Sequence, residues 1–285
     1  GGRKKLPVKQ QSILNLKRQM PDITKTYEEK LLKNIISSNR AIKKIYVDAI
    51  NQITLSLPTI KYKGIPFAIK DYPALKKRIE ILLREMNTDI FAVTINSIES
   101  AWDLSNEKNN IIVDKRLRGK RPVKSVRKII YDPNKPALNQ FLQRKEGGLK
   151  LSDRVWRNLQ PLRNELEQSL GFAIAKGEDA ATTASQIKKY LNEPDKLFRR
   201  VRTEEGKLVL SQAARDYHPG KGVYRSSYKN ALRLTRTENN MAYRKADHER
   251  WNTLPFVIGM EVKLSAAHPR YDICDNLAGK YPKDF

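Results

Sequence analysis

The sequence predicts a mainly α-helical protein with a small β element near its C-terminal end, an α+β fold. Three observations predict it. From Asp22 to Leu57 there is no Gly or Pro, and Ile35, Ile42, Ile45, Ala49 and Ile53 recur on one face of a 3.6-residue period. A second stripe, Leu75, Ile79, Leu82, Met86, Ile90, Val93 and Ala101, continues to about Ser105. Near the end, the apolar stretch from Phe256 to Leu264 reads as a strand after a long helical pattern.

Residues 1–21 read as a basic tail punctuated by Pro7 and Pro21. Thr26 with Glu29 three residues later has the form of a capping box, and Pro58 stops the first helix. Thr59 to Lys70, with Gly64 and Pro66, is a connector or short strand. Asp71-Tyr72-Pro73 opens the second helix, since proline is tolerated in a first turn. Residues 22–114 therefore form a long N-terminal helical region, most simply an antiparallel hairpin. Between Ile111 and Pro136 the helical period is lost, and Ile111-Ile112-Val113 reads as a strand.

Residues 115–136 are a basic linker and the domain boundary. Lys115, Arg116, Arg118, Lys120, Arg121, Lys124, Arg127 and Lys128 occupy it, with no acid between the first and last of them. Gly119 and Pro122 make it a loop. Such a loop either tracks phosphates or is simply a solvated connector; the sequence weighs the two about evenly.

The remaining residues, 137–285, read as several helices and a terminal β element. Asn139 to Glu146 is a short helix ended by Gly147-Gly148, and Ser152 caps the next one. Pro161 breaks or kinks that helix before Leu162 to Ala175, and Gly177 ends it. Glu178-Asp179 opens another helix through Ile187 and Leu191. Pro194 to Gly222 is loop, with a hairpin expected across Glu204-Glu205-Gly206. A longer helix then runs from about Ser226 to Trp251.

Composition narrows the function classes. Lys+Arg number 56 against 31 Asp+Glu, a formal charge of +25 over 285 residues. Such a surplus attracts nucleic acid, acidic proteins or anionic membranes. With 39% hydrophobic residues, the chain is too apolar for a wholly disordered basic protein. One cysteine, Cys274, excludes an intrachain disulfide and makes a reducing compartment the default. No apolar run approaches the ~20 residues of a membrane span.

Candidate chemistry is sparse. Cys274 with His268, Asp272 and Asp275 holds one thiol and one imidazole, where zinc takes four ligands with those types preferred. A free cysteine beside a turn is the favoured reading. Arg236-Thr237-Glu238 invites comparison with the Arg/Ser/Glu sets of ADP-ribosyltransferases, which need residues converging from separate strands. On one helix Arg236 and Glu238, two apart, point in different directions, so a structural role in which each pairs with a neighbouring element is favoured. His218 and His248 are isolated, and Pro219-Gly220-Lys221-Gly222 lacks the glycine pattern of a phosphate loop. Tyr217, Tyr224 and Tyr228 offer rings for base stacking, although ordinary packing is the commoner use.

The order of these elements carries a resemblance. Leu151 to Trp156 opens a helix pair leading to Ala175-Lys176-Gly177 and a second short helix. The helix bearing Arg236-Thr237-Glu238, with Ala242 and Tyr243 after it, leads to the strand from Val257 to Leu264 and the turn-rich cysteine element from Ser265 to Gly279. Residues 137–285 thus resemble the Mu F-like minor head (head morphogenesis) proteins of tailed phages; residues 1–136 share only helical character with them. The resemblance implies a non-enzymatic minor head protein of a phage or prophage, acting in head assembly, DNA packaging or delivery. Its partners would be the portal protein, the capsid protein and packaged double-stranded DNA. Its place would be the head interior of the virion, and the host cytoplasm during assembly. Family members continue into a His-Pro-x-Cys-Arg-like segment that falls after Phe285, so the domain reads as C-terminally truncated. No cofactor is expected, and zinc at Cys274 and His268 would need ligands from that further segment. The alternatives are a phage-borne or toxin-like enzyme (nuclease or ADP-ribosyltransferase-like, acting on nucleic acid or protein) and a plain DNA-binding accessory.

Overall fold

Both apolar stripes fold as helices longer than their periodicity alone marks. A computed structural model describes residues 8–56, 67–192, 200–210, 224, 226–262, 264 and 273–283. Helix α1 is Val8–Thr54, a 3-10 turn covers Ile69–Asp71, and α2 is Pro73–Leu117. Then come α3 (Lys124–Ile130), α4 (Lys135–Gln143), α5 (Leu151–Lys176) and α6 (Ala180–Asn192). A hairpin of β1 (Arg200–Arg202) and β2 (Leu208–Leu210) precedes α7 (Ser227–Thr253). The chain continues through β3 (Gly259–Val262), α8 (Ile273–Leu277) and β4 (Gly279–Pro282). The fold is mainly α with small antiparallel β elements, as the sequence predicts. Among the described residues no helix is long and apolar enough to cross a membrane.

The described residues fall into two compact units. One lies within Gly1–Leu31, Glu99–Phe141 and Met241–Phe285; the other within Leu32–Ile98 and Leu142–Asn240. The segment 115–136, expected as a domain boundary, falls within the first unit. Helices α1, α2 and α7 each contribute a stretch to both units.

In the second unit, α1 and α2 bury Ile42, Ile50, Ile79 and Ile90 against Leu159 and Leu166 of α5 and Ile187 of α6. A polar seam runs beside this core. The Asn34 side-chain amide donates to Asn239 Oδ1 at 2.8 Å, and Ser97 Oγ donates to the same oxygen at 2.7 Å. Ser38 Oγ donates to Ser97 Oγ at 2.7 Å, and the hydroxyls of Thr94 and Thr235 meet at 3.0 Å. The pairs Thr94–Thr235 and Ser97–Asn239 make α2 parallel to α7 within the unit. A sliding helix would strand these groups without partners, so the seam fixes axial register.

The first unit has its own polar centre. Trp102, 1% exposed, donates its indole N–H to the Pro133 carbonyl at 2.8 Å, with Phe141 at 6.4 Å between ring centroids. Asp247 accepts from Lys108 Nζ at 2.5 Å, Ser105 Oγ at 2.6 Å and Asn109 Nδ2 at 2.8 Å. Arg250 donates to the Ile130 carbonyl and, at 3.0 Å, to Asn106 Oδ1. Val113, Ile130 and Leu254 form an apolar cluster beside them.

Several expectations are corrected. Helix α1 begins at Val8, so residues 8–21 are helical rather than tail, and Thr26 and Glu29 lie inside the helix instead of capping it. Helix α2 runs to Leu117, so Ile111-Ile112-Val113 is helical and not a strand. The period seemed lost there because the core-facing positions Ser105, Lys108 and Asn109 are polar and satisfied by Asp247. Pro161 sits inside α5, which runs on from Leu151 to Lys176, so it does not break the helix. Its lost hydrogen bond is offset by burial of Leu159, Leu162 and Leu166 around it. Ser152 is not the cap, since α5 already begins at Leu151 and Asp153 accepts from the Lys150 amide at 3.0 Å.

Other readings agree with the structure. Gly177 (φ +66°) ends α5, and Asp179 caps α6 by accepting from the Thr182 amide at 2.9 Å. The expected hairpin turns through Glu204-Glu205-Gly206, with Val201 opposite Val209. The C-terminal strand is shorter than expected, and it pairs with an unforeseen one: Met260 lies opposite Tyr281 in β3–β4. Residues 57–66, including Pro58, lie outside the described residues.

Candidate nucleic-acid interface

The eight cations singled out by sequence do not form one loop. Lys115 and Arg116 are in the last turn of α2, where cations complement the helix dipole. Arg118 (φ +50°) and Gly119 (φ +77°) turn the chain out of the helix, followed by Lys120 and Arg121. Lys124, Arg127 and Lys128 then line one side of α3, spaced i, i+3 and i+4. Seven of the eight are exposed; Lys115 is half-buried. None of them is in an ion pair among the described residues. Arg116 lies 5.9 Å from the centroid of the Phe256 ring, which holds one guanidinium against the first unit. Lys120, Arg121 and Arg127 line a cleft of about 620 Å³ with Asp114 and Tyr131, whose hydroxyl donates to Asp114. Asp114 is the one carboxylate lining that cleft, so its field is cationic.

The Arg236-Thr237-Glu238 triplet divides sharply. Glu238 is fully buried in the second unit, accepting from Arg144 Nη2 and Arg154 Nη1, each at 2.8 Å. Glu146 stands 2.5 Å from Arg154 Nη1 and 3.7 Å from Arg144 Nη2. This four-member cluster ties α7 to α5 and to the turn between α4 and α5. Arg236 and Thr237 are exposed and take no part in it. Arg144, Glu146 and Arg154 were not singled out from the sequence. The one available signal was that Arg154 falls on the same face of α5 as Leu151 and Leu162.

The remaining candidates are dispersed. Cys274 and Asp275 lie on α8, while His268 and Asp272 lie outside the described residues, as do Tyr217, His218 and Pro219 to Gly222. Among the described residues no group of His, Cys, Asp and Glu is arranged to hold a metal. His248 lies with Nδ1 at 3.2 Å from the Asn252 amide nitrogen. Tyr224 is 49% exposed, but Tyr228 is a core residue, edge-on to Tyr46 at 5.3 Å.

Lys108 is a buried cation whose charge is perturbed by its surroundings. Burial pulls its ammonium below the usual lysine range, against the opposing pull of Asp247. The ammonium also sits 4.5 Å from the centroid of the Tyr243 ring. Burial, and then Asp247, push the Tyr243 phenol far up. Lys108 and Asp247 are hydrogen-bonded to each other within a packed helix interface, with the Tyr243 ring against the ammonium, which makes the set a structural tie. No protein-family model, curated protein or solved structure matches this chain.

Proposed function

We propose that this chain is a non-enzymatic minor head protein of a tailed phage or prophage, of the Mu F-like kind. It would act in head assembly, DNA packaging or delivery by contacting portal, capsid or packaged DNA. The observation that carries the reading is the fate of Glu238. Both carboxylate oxygens are held by arginines in a buried cluster, so the one acid of the triplet is committed to fixing α7. A catalytic carboxylate must reach a substrate, and this one has no exposed surface.

The exposed cations of α2 and α3 supply the second half of the reading. They suit a dense, repetitive polyanion, bound through the backbone without sequence preference.

The test is association of the purified protein with a tailed-phage portal oligomer, together with retention on duplex DNA. Saturable portal binding at physiological salt, with DNA retention that falls steeply as salt rises, is the expected result. Failure to bind either partner at low salt, combined with turnover of nucleic acid or a nucleotide, would overturn the proposal.

A further inference from the structure

A cavity of about 220 Å³ in the second unit joins apolar side chains to a group of lysines. Its apolar floor is Tyr46 and Val47 of α1, Leu191 of α6 and Tyr228 of α7; its rim is Lys43, Lys188 and Lys189. No carboxylate lines it, and none of the three lysines is in an ion pair among the described residues. Lysines in a last helical turn commonly serve the terminal carbonyls. Here two of those carbonyls are already served: Asn192 Nδ2 donates to the Lys188 carbonyl at 3.0 Å, and Ser226 Oγ to that of Leu191 at 2.8 Å. The three ammonium groups therefore repel one another around an apolar hollow, with no acid among the described residues lining it to neutralise them.

We infer that this cavity binds a small organic anion, a phosphate or carboxylate joined to a compact apolar body. The anion would meet the three ammonium groups, with the Ser185 hydroxyl and Asn192 amide as further polar contacts. The apolar part would lie against the Tyr46 and Tyr228 rings, which are fixed in place by their edge-on packing. A preformed floor costs little ordering on binding. The inference stands apart from the proposed role in a phage head.

Phenyl phosphate is the probe, with inorganic phosphate supplying the charge alone and phenol the ring alone. Calorimetric titration of the full chain should give saturable, one-to-one binding of phenyl phosphate, tighter than either fragment. The variant K43A/K188A/K189A should bind about tenfold or more weakly, the loss expected when charge-assisted hydrogen bonds are removed. The charge-matched variant K33A/K44A/K77A alters exposed lysines of the same unit that do not line the cavity, and should bind as the parent does. Equal losses in the two variants would reduce the effect to general attraction by a cationic chain and overturn the assignment. So would absent saturation, or inorganic phosphate binding as tightly as phenyl phosphate. All the altered lysines are exposed or half-buried, and the far-ultraviolet spectrum checks that each variant keeps its helices.

Discussion

Glu238 stands between two guanidinium groups with no exposed surface of its own. Removing it leaves Arg154, itself 5% exposed, with the half-exposed Glu146 as its ion-pair partner among the described residues. Breaking a buried pair from one side costs about 3–5 kcal/mol, and partial solvation of Arg144 favours the lower end. Glu238→Ala should therefore lower the unfolding free energy by about 3 kcal/mol in urea titration. Arg236→Ala, two residues away but exposed, should change it by less than about 0.5 kcal/mol. Similar effects at the two positions would refute the buried tie.

Buried tyrosines make a pH prediction at the same scale. Burial raises the phenols of Tyr46 and Tyr243 far above their ordinary value. In the unfolded chain they ionise near pH ~10, while the folded chain keeps their protons. Their contribution is therefore complete below about pH 10 and is lost as pH climbs toward the folded values. Lys108 has the opposite sign: its lowered pKa makes its contribution grow with pH up to about 10.4, the unfolded value. The phenols dominate above that point. Phenolate absorbance should show two tyrosines that ionise only together with loss of helical circular dichroism, and Tyr46→Phe should remove one of them. Early ionisation of both in the folded chain would contradict the packing.

At the scale of elements, α3 is an exposed cationic segment and β3–β4 a two-stranded sheet. Replacing Lys124, Arg127 and Lys128 with Ala should weaken duplex DNA binding uniformly across sequences. If each cation meets one phosphate, the slope of log affinity against log salt should shrink by about 0.9 per residue. An unchanged slope would remove α3 from the interface. The hairpin depends on a close backbone approach: a Cβ at Gly259 would lie 2.5 Å from the Tyr281 carbonyl oxygen. Gly259→Ala should open β3–β4, seen as faster amide exchange in residues 259–262 and 279–282, while exchange in α5 stays unchanged.

The elements were unequally legible. Helix α7 and the start of α2 could be read from period and proline placement, and the α5–α6 turn from Gly177 and Asp179. The end of α2 could not be. Its core-facing positions carry Ser105, Lys108 and Asn109, which count as polar until Asp247 is known to lie opposite them. Strand β4 was missed for a related reason. Gly279 to Pro282 has no strand pattern of its own and is ordered by pairing with β3.

For the whole molecule, the governing quantity is the charge of +25. Self-repulsion of this size opposes the compact state and attracts polyanions, and both effects are screened over about 8–10 Å at ordinary salt. Raising salt from about 50 to about 500 mM should therefore raise the melting temperature while weakening DNA retention. Parallel movement of the two would show that the surplus charge is neutralised within the fold. The sequence by itself determined the helical class, the charge and the absence of an intrachain disulfide, because periodicity and composition are local or additive properties. Tertiary structure alone decided that the glutamate of the Arg-Thr-Glu triplet is a buried tie, that the basic segment is split between two helices, and that three lysines rim one cavity. Each of these depends on side chains distant in the chain meeting in space, and on which polar groups lose their water when they do.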